Sequence, residues 1–252
     1  MPFHPLGQPR DKIKFMRFLL LILLINLGGC ATKYLLPVNR FITPETQGGF
    51  LNTQFEIQQT KAHQLAIISD GGNVNQGVVY SDISRTGYMF STAFFDSFDF
   101  VWSHVGNANS MLGGKVQFIG GSRSAKAAGH KLGAAYLLGG NEHQTEDKAI
   151  TFRMDGQELL LLYGYRINEY FLPYASLGRS SYHFDGEISS SNPSLNGKKP
   201  SYKSSINQLN GGLELDWQAF FAKLELSYQQ ISTDQTASKT SLQYGLSAGF
   251  NW

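Results

Sequence analysis

The chain contains a single cysteine, Cys30, among its 252 residues. One thiol excludes a disulfide framework within the chain and a zinc site built from cysteines. Charged residues are also scarce, at 16% of the sequence, against about 25% in ordinary soluble domains. The apolar stretch from Phe18 to Leu27 is much shorter than the roughly 20 residues that a membrane-spanning helix needs, so it does not predict one.

Neither sign of charge is in large excess, with 21 Lys and Arg against 19 Asp and Glu. Residues 1–29 hold four of the basic residues and one acid, so the chain without them is close to neutral. A nucleic-acid-binding domain requires a basic face or stripe. The composition therefore predicts that the protein does not bind nucleic acid.

The short apolar run has the anatomy of a secretory signal peptide, because it follows the positive Arg17 and ends in small residues. Its last four residues, Leu-Gly-Gly-Cys ending at Cys30, also resemble the lipobox of bacterial lipoproteins. The resemblance implies that the Cys30 thiol receives a diacylglyceryl group and that cleavage makes Cys30 the first residue. With Ala31 rather than Asp next in sequence, it further implies transport to the outer membrane. The alternative is that Cys30 is simply a buried free thiol.

These features divide the chain into three parts. Residues 1–29 are predicted to be the signal peptide, with translation beginning at Met16, since Arg17 follows it directly and prolines precede it. Residues 30–48 are predicted to be a lipidated tether. Residues 49–252 are predicted to form one β-barrel domain.

The last segment, SLQYGLSAGFNW, alternates without exception between apolar and small or polar residues. Such a period of two predicts a strand with one apolar and one polar face. The 11 residues from Leu242 to Trp252 match the roughly 9 to 11 that a tilted transmembrane strand needs. The terminal aromatic residue also resembles the final-strand signal that outer-membrane barrels present to their assembly machinery.

Similar alternation recurs along the chain. Counting these segments predicts an all-β, antiparallel, up-and-down transmembrane β-barrel of about ten strands, with eight and twelve left open. The other strand-like segments are FLNTQFEIQQ, GYMFSTAFFDSFDFVWSH, LGGKVQFIGG, GHKLGAAYLLGG, ELLLLYGYRINEYFLPYASLGRSSYHF, LNGGLELDW and AKLELSY.

The connections alternate between two kinds. Tight turns are predicted at Asp96, Asn168 and Gln218, and longer outer loops at 60–86, 140–156 and 185–202. Outer-membrane barrels have short periplasmic turns and longer external loops, and an even strand number returns both termini to the periplasm. The sequence therefore predicts a periplasmic amino terminus, held by the lipid in the inner leaflet.

In a transmembrane barrel the polar strand face lines the lumen. Charges of both signs lie on that face, so they are predicted to pair across a narrow interior, where isolated ions are costly. This predicted lumen polar cluster comprises Glu56, Asp99, Lys115, Lys131, Arg166, Glu214, Asp216, Lys223 and Glu225.

Two alternatives concern the interior of the barrel. Ten strands enclose little more room than side chains fill, so a plugged lumen is favoured over a narrow diffusion pore. Bacterial lipocalins are outer-membrane lipoproteins whose barrels face their apolar side inward. The low charged fraction and the absence of their early Gly-x-Trp argue against a lipocalin-like, lipid-binding protein.

A third alternative is an outer-membrane lipid acyl hydrolase. His104 and the following residues weakly resemble the His-x-Ser-Asn motif of such enzymes, but Gly106 stands in place of the serine. We therefore predict no enzymatic activity, no cofactor and no metal site.

The sequence leads to one functional hypothesis: a lipid-anchored barrel in the outer membrane of a Gram-negative bacterium, with a structural or surface-recognition role. The expected partners are outer-membrane lipids, lipopolysaccharide and the barrel-assembly machinery. The sequence leaves the oligomeric state open.

Lipidation is tested by substituting its acceptor. We expect Cys30→Ser to abolish incorporation of labelled palmitate, because serine has no thiol to form the thioether. Label that survives the substitution would remove the anchor hypothesis. The measurement is fluorography of the immunoprecipitated full chain.

Overall fold

The structure, a computed structural model, consists almost entirely of β-strands. It describes residues 33–37, 39–70, 73–105, 110–144, 150–189, 196–197, 199, 201–217, 219–234 and 238–252. The predicted signal peptide, the Met16 start and Cys30 lie outside these residues. Within them the strands are β1 (Lys33–Pro37), β2 (Thr53–Asp70), β3 (Asn73–Phe95), β4 (Phe98–Val105), β5 (Ser110–Ile119), β6 (Gly129–Gln144), β7 (Ile150–Arg166), β8 (Phe171–Ile188), β9 (Ser201–Trp217), β10 (Phe220–Thr233) and β11 (Lys239–Asn251).

Strands β2 to β11 form a closed antiparallel barrel. Each pairs with the next along the chain, and β11 pairs with β2 to complete the cylinder. The prediction of an all-β, up-and-down barrel with about ten strands is confirmed. No helix among the described residues is both long enough and apolar enough to cross a membrane.

The two rims of the barrel differ. At the turn rim, tight connections join β3 to β4, β7 to β8 and β9 to β10, as the sequence predicted. There the Asn168 side chain accepts hydrogen bonds from the backbone N–H groups of Tyr170 (2.9 Å) and Phe171 (3.0 Å), which fixes the turn. Trp252 also lies at this rim, where it exchanges backbone hydrogen bonds with Thr53. We call the opposite end the loop rim.

Side chains alternate between the lumen and the outer surface. On β11, Leu242 and Leu246 point outward and are 69% and 53% exposed, whereas Ser241 and Ser247 are buried. The lipocalin-like alternative requires the reverse arrangement, so it is wrong for the part of the described strands that carries the outward apolar residues.

The outward apolar residues form a continuous band that begins at the turn rim. On β10 the band runs from Phe220 to Tyr228, a height of roughly 20 Å at about 3.3 Å per residue and the usual strand tilt. Outer-membrane barrels have a band of about 25 Å with aromatic residues at its edges. Representative members are Leu159, Leu161, Tyr163 and Tyr165 on β7, Leu209, Leu213, Leu215 and Trp217 on β9, and Leu224 and Leu226 on β10.

The connections at the loop rim are shorter than predicted. The predicted loop 60–86 is mostly covered by β2 and β3, and the predicted loop 140–156 by β6 and β7, while β8 extends to Ile188. Beyond the band on β7 to β10 the described outward residues are polar, whereas Phe184, Ile188 and Tyr202 point into the lumen, so the apolar residues change faces although the hydrogen-bonded ladder continues. The sequence pattern therefore predicts strands that are shorter than those in the structure.

Residues 39–48 lie inside the barrel and are all buried. We call them the interior segment. The segment enters beside Thr60, whose Oγ1 accepts the Asn39 N–H at 3.2 Å, and leaves at the turn rim. For residues 39–48 this corrects the predicted position as a tether at that rim. The sequence gives no sign of this position, because the polar residues of the segment lack strand periodicity and their partners in the lumen are distant in sequence.

A gap in the wall admits the interior segment. β11 pairs with β2 only from Leu246 to Asn251, and β1 occupies the far half of β2 instead. At Gly245 a Cβ atom would lie 2.6 Å from the side chains of Asn39 and Phe41, so only glycine leaves room for the passage.

The lipid-facing band is tested with an arginine at its centre. We expect Leu224→Arg to lower the free energy of unfolding by about 2–4 kcal/mol, because arginine at mid-membrane is poorly solvated. Gln230→Arg, on the same outward face of β10 but beyond the band, should cost about 0–1 kcal/mol. Urea unfolding in lipid vesicles measures both values, and equal costs would contradict the band.

Candidate functional site

The nine residues predicted for the lumen polar cluster all lie in the barrel interior, each with at most 4% of its surface exposed. They come from seven strands: Glu56 on β2, Asp99 on β4, Lys115 on β5, Lys131 on β6, Arg166 on β7, Glu214 and Asp216 on β9, and Lys223 and Glu225 on β10. The structure brings them together around the interior segment.

Glu45, in the interior segment, is the centre of this network. Its carboxylate binds Arg166 (Nε to Oε1, 2.7 Å) and Lys131 (Nζ to Oε1, 3.2 Å). Its carbonyl oxygen accepts a hydrogen bond from Lys115 Nζ at 2.5 Å. Three cations from three neighbouring strands thus converge on one residue, which fixes the segment against the wall.

Two arginines neutralise the acidic pair on β9. Arg166 Nη2 lies 2.7 Å from Asp216 Oδ2. Arg123, from a short 3-10 helix in the β5–β6 connection, contacts Asp216 (2.6 Å) and Glu214 (2.5 Å). Burial acts to lower the pKa of the Arg123 guanidinium, but the carboxylates of Glu214 and Asp216 outweigh it and raise that pKa above its usual value.

The carboxylates of Glu45, Glu214 and Asp216 lie close enough together to hold a metal ion, with ligand oxygens within 4.8 Å of one another. These oxygens already bind the guanidinium groups of Arg123 and Arg166. Their negative charge is therefore compensated by the protein, and we assign no metal to them.

Two other carboxylates have their own lysines. Lys223 Nζ lies 2.6 Å from Glu56 Oε2, and Lys115 Nζ lies 3.1 Å from Asp99 Oδ2. Asp99 also accepts the backbone N–H of Gln47, at 3.0 Å. Asp99 thus binds a wall cation and the interior segment together.

Glu225 binds the end of the interior segment that lies nearer the loop rim. Its carboxylate accepts the backbone N–H groups of Arg40 (2.8 Å) and Phe41 (3.0 Å) and the Tyr174 hydroxyl (3.0 Å). The Arg40 guanidinium in turn pairs with Glu158, at 2.6 Å. Every charge that the segment brings into the lumen is therefore paired.

Sequence reasoning missed four of the buried charges: Arg40, Glu45, Arg123 and Glu158. The first two lie in the predicted tether, and Arg123 lies in a connection. Glu158 precedes four leucines, where both strand faces are apolar and alternation gives no signal. Its spacing of two from Leu160, which is also buried, is the one pattern that could have placed it in the lumen.

Toward the loop rim the lumen is apolar. Phe184 and Tyr202 stack with ring centroids 4.4 Å apart. Large buried side chains around them include Met154, Tyr182, Ile188, Ile206 and Ile231. The prediction of a polar inner face therefore holds only near the turn rim, where the lumen is ionic. Toward the loop rim the inner face is apolar.

Little space remains in the ionic part. The cavity beside Ile42 and Thr43 has a volume of about 10 Å³, roughly that of one water molecule. Beside these two residues the described side chains therefore leave no room for a passage.

Outside the barrel, polar side chains continue the outward face of β7, β8 and β9 beyond the apolar band. We call this surface the polar collar: Arg153, Asp155, Gln157, Arg179, His183, Asp185, Lys203 and Asn207. Arg179 is the next outward residue after Leu177, so it lies at the edge of the band. A cavity of about 660 Å³ opens at this end, lined in part by His183 and Lys203.

His104, considered above for acyl hydrolysis, lies on β4 near the loop rim. Its Nδ1 lies 3.0 Å from the Ser110 hydroxyl, across the β4–β5 ladder. Its ring stacks on Trp102, with centroids 6.0 Å apart. The structure thus supplies a His–Ser hydrogen bond that sequence spacing did not reveal.

A closed barrel surrounded by an apolar band satisfies its backbone in a bilayer without an open edge. The chain forms a transmembrane β-barrel.

No protein-family model matches the chain, and no curated protein matches its sequence. A solved structure similar to it is Ail, the attachment invasion locus protein of Yersinia pestis, with 13% identity and a TM-score of 0.39 over 81% of this chain and 100% of that one. Ail in complex with the heparin analogue sucrose octasulfate gives 12% and 0.37, over 81% of this chain and 99% of that one. The outer membrane channel DcaP of Acinetobacter baumannii has 6% identity and a TM-score of 0.22, over 89% of this chain and 99% of that one. These values are too low to indicate what this chain binds or does.

The ionic network is tested by removing one of its charges. We expect Arg166→Met to lower the free energy of unfolding by about 3–5 kcal/mol, because it leaves buried carboxylates unpaired. Arg179→Met makes the same change on the exposed polar collar and should stay within about 0.5 kcal/mol. Urea unfolding in vesicles compares the two, and similar small losses would contradict the network.

Proposed function

We propose that this outer-membrane barrel is a lipoprotein with a structural or surface-recognition role and no transport path through its lumen. In this proposal the turn rim faces the periplasm and the loop rim faces the outside, as in other outer-membrane barrels. Cys30 carries the lipid, and the barrel-assembly machinery inserts the chain. No cofactor or catalysis is assigned.

The filled lumen is the observation that carries this proposal. Arg40 and Glu45 form ion pairs with the wall, and the cavity beside them holds about one water molecule. A diffusion pore requires a continuous aqueous passage. With the interior occupied, the surfaces left for contact with other molecules are those at the loop rim.

The polar collar is the surface best placed for such contact. Because it adjoins the edge of the apolar band, its side chains reach the level of the outer-leaflet headgroups. Lipopolysaccharide presents phosphates at that level, and Arg179 and Lys203 offer exposed cations to them. We therefore propose lipopolysaccharide as the partner of the collar.

Charge reversal tests this partner. We expect Lys203→Glu and Arg179→Glu each to weaken binding of fluorescent lipopolysaccharide to the detergent-purified protein about fivefold, the equivalent of about 1 kcal/mol. Lys126→Glu, which makes the same reversal in the β5–β6 connection at the turn rim, should leave the affinity unchanged. An equal loss in all three variants would indicate a non-specific charge effect and contradict the proposal.

A second candidate function, lipid acyl hydrolysis, is favoured by the hydrogen bond between His104 and Ser110. A histidine base bonded to a hydroxyl nucleophile is the minimal arrangement for acyl transfer. Mass spectrometry of lipids incubated with the protein separates the candidates. Turnover that is abolished by both His104→Ala and Ser110→Ala would support acyl hydrolysis. We expect no turnover by the unaltered protein, and that result would contradict acyl hydrolysis.

A further inference from the structure

The register of β1 sets the direction in which the chain enters the barrel. Lys33 pairs with Ala66 and Pro37 with Ala62, so β1 runs from the loop rim toward the turn rim. The interior segment continues in the same direction, from Asn39 near Thr60 to Gln47 near Asp99. The chain thus descends through its own barrel before β2 begins.

The length of β2 measures how far Lys33 lies from the turn rim. From Thr53 to the partner of Lys33, Ala66, the strand advances 13 residues, or about 43 Å along the strand at roughly 3.3 Å per residue, which is roughly 33 Å along the barrel axis at a tilt of about 40°. Cys30 precedes Lys33 by three residues, and such a link spans at most about 11 Å. A lipid on Cys30 therefore cannot reach the leaflet at the turn rim while β1 is paired.

We infer that the chain enters its barrel from the loop rim, on the membrane face opposite Trp252, so that a lipid on Cys30 would lie in the outer leaflet. The lipid part of this inference rests on the proposed lipidation. The direction of the chain does not, since it follows from β1 and the interior segment alone.

The contacts of the interior segment hold this direction. Arg40 reaches Glu158 and Tyr182 in the upper lumen, while Glu45 reaches Arg166 near the turn rim. Reversing the segment would exchange the surroundings of these two opposite charges. Arg40 would then lie beside Arg166 and Lys131, and Glu45 beside Glu158. Like-charge contacts of this kind disfavour the reversed path.

The test places an epitope between Thr32 and Lys33 of the full chain. Matched insertions after Gly197, in the β8–β9 connection at the loop rim, and between Asn168 and Glu169, at the turn rim, serve as controls. Antibody binding is measured on intact cells and again after the outer membrane is permeabilised. The shift of the unheated band on a denaturing gel establishes that each variant forms the barrel.

We expect the insertion at 32–33 to behave like the one after Gly197, with a signal in intact cells that permeabilisation does not raise. A signal that appears only after permeabilisation, as expected at 168–169, would overturn the inference. Palmitate labelling of the same chain reports lipidation separately. An unlabelled chain with an accessible epitope would refute the anchor and leave the direction of the chain intact.

If the insertion at 32–33 prevents barrel formation, a point substitution provides the same comparison. Thr32→Cys and Glu169→Cys, each in a Cys30→Ser background, are treated with a membrane-impermeant maleimide. Labelling of Thr32→Cys but not Glu169→Cys in intact cells supports display at the loop rim. The reverse pattern contradicts it.

Discussion

Charges buried in a closed barrel must be paired or hydrogen-bonded, and this requirement governs the structure. The described residues include six buried cations and seven buried carboxylates. An unpaired ion in such surroundings costs several kcal/mol, so each position depends on its partners across the lumen. Arg166, for example, contacts three carboxylates, those of Glu45, Glu214 and Asp216. Without the interior segment, Lys131 and Glu158 would lose the opposite charges, Glu45 and Arg40, that they contact.

The interior segment is thus part of the barrel core. It is continuous with β2 through Gly48 and Gly49, whose φ angles of 70° and 77° belong to the left-handed region that glycine enters at little cost. These residues turn the chain out of the lumen and into the wall. β1 also pairs with β2 where β11 does not. β1 therefore continues the wall, and the interior segment that follows it fills the lumen. The filled lumen is the basis of the surface-recognition role proposed above.

Sequence periodicity predicted the parts of the fold that follow local rules. The strand alternation, the tight turns at residues 96, 168 and 218 and the polar inward positions all follow from side chains that point alternately to lipid and lumen. The interior segment could not be predicted in this way, because the ion-pair partners of Arg40 and Glu45 lie more than 100 residues away in sequence. The outer ends of the strands were missed for a related reason. Beyond the band on β8, inward residues such as Phe184 and Ile188 are apolar and outward residues such as His183 are polar, so the rule that marks the lipid-facing strands no longer applies.

The occupancy of the lumen by residues 39–48 is tested most directly by cross-linking in native outer membranes. Thr46 Oγ1 lies 2.9 Å from Gln117 Oε1 inside the barrel, whereas Val116, the neighbouring residue on β5, points outward and is 36% exposed. The account predicts that a short thiol cross-linker joins Thr46→Cys to Gln117→Cys and does not join Thr46→Cys to Val116→Cys, as read by mass spectrometry. Failure of the first pair to cross-link, or equal cross-linking of both pairs, would contradict it.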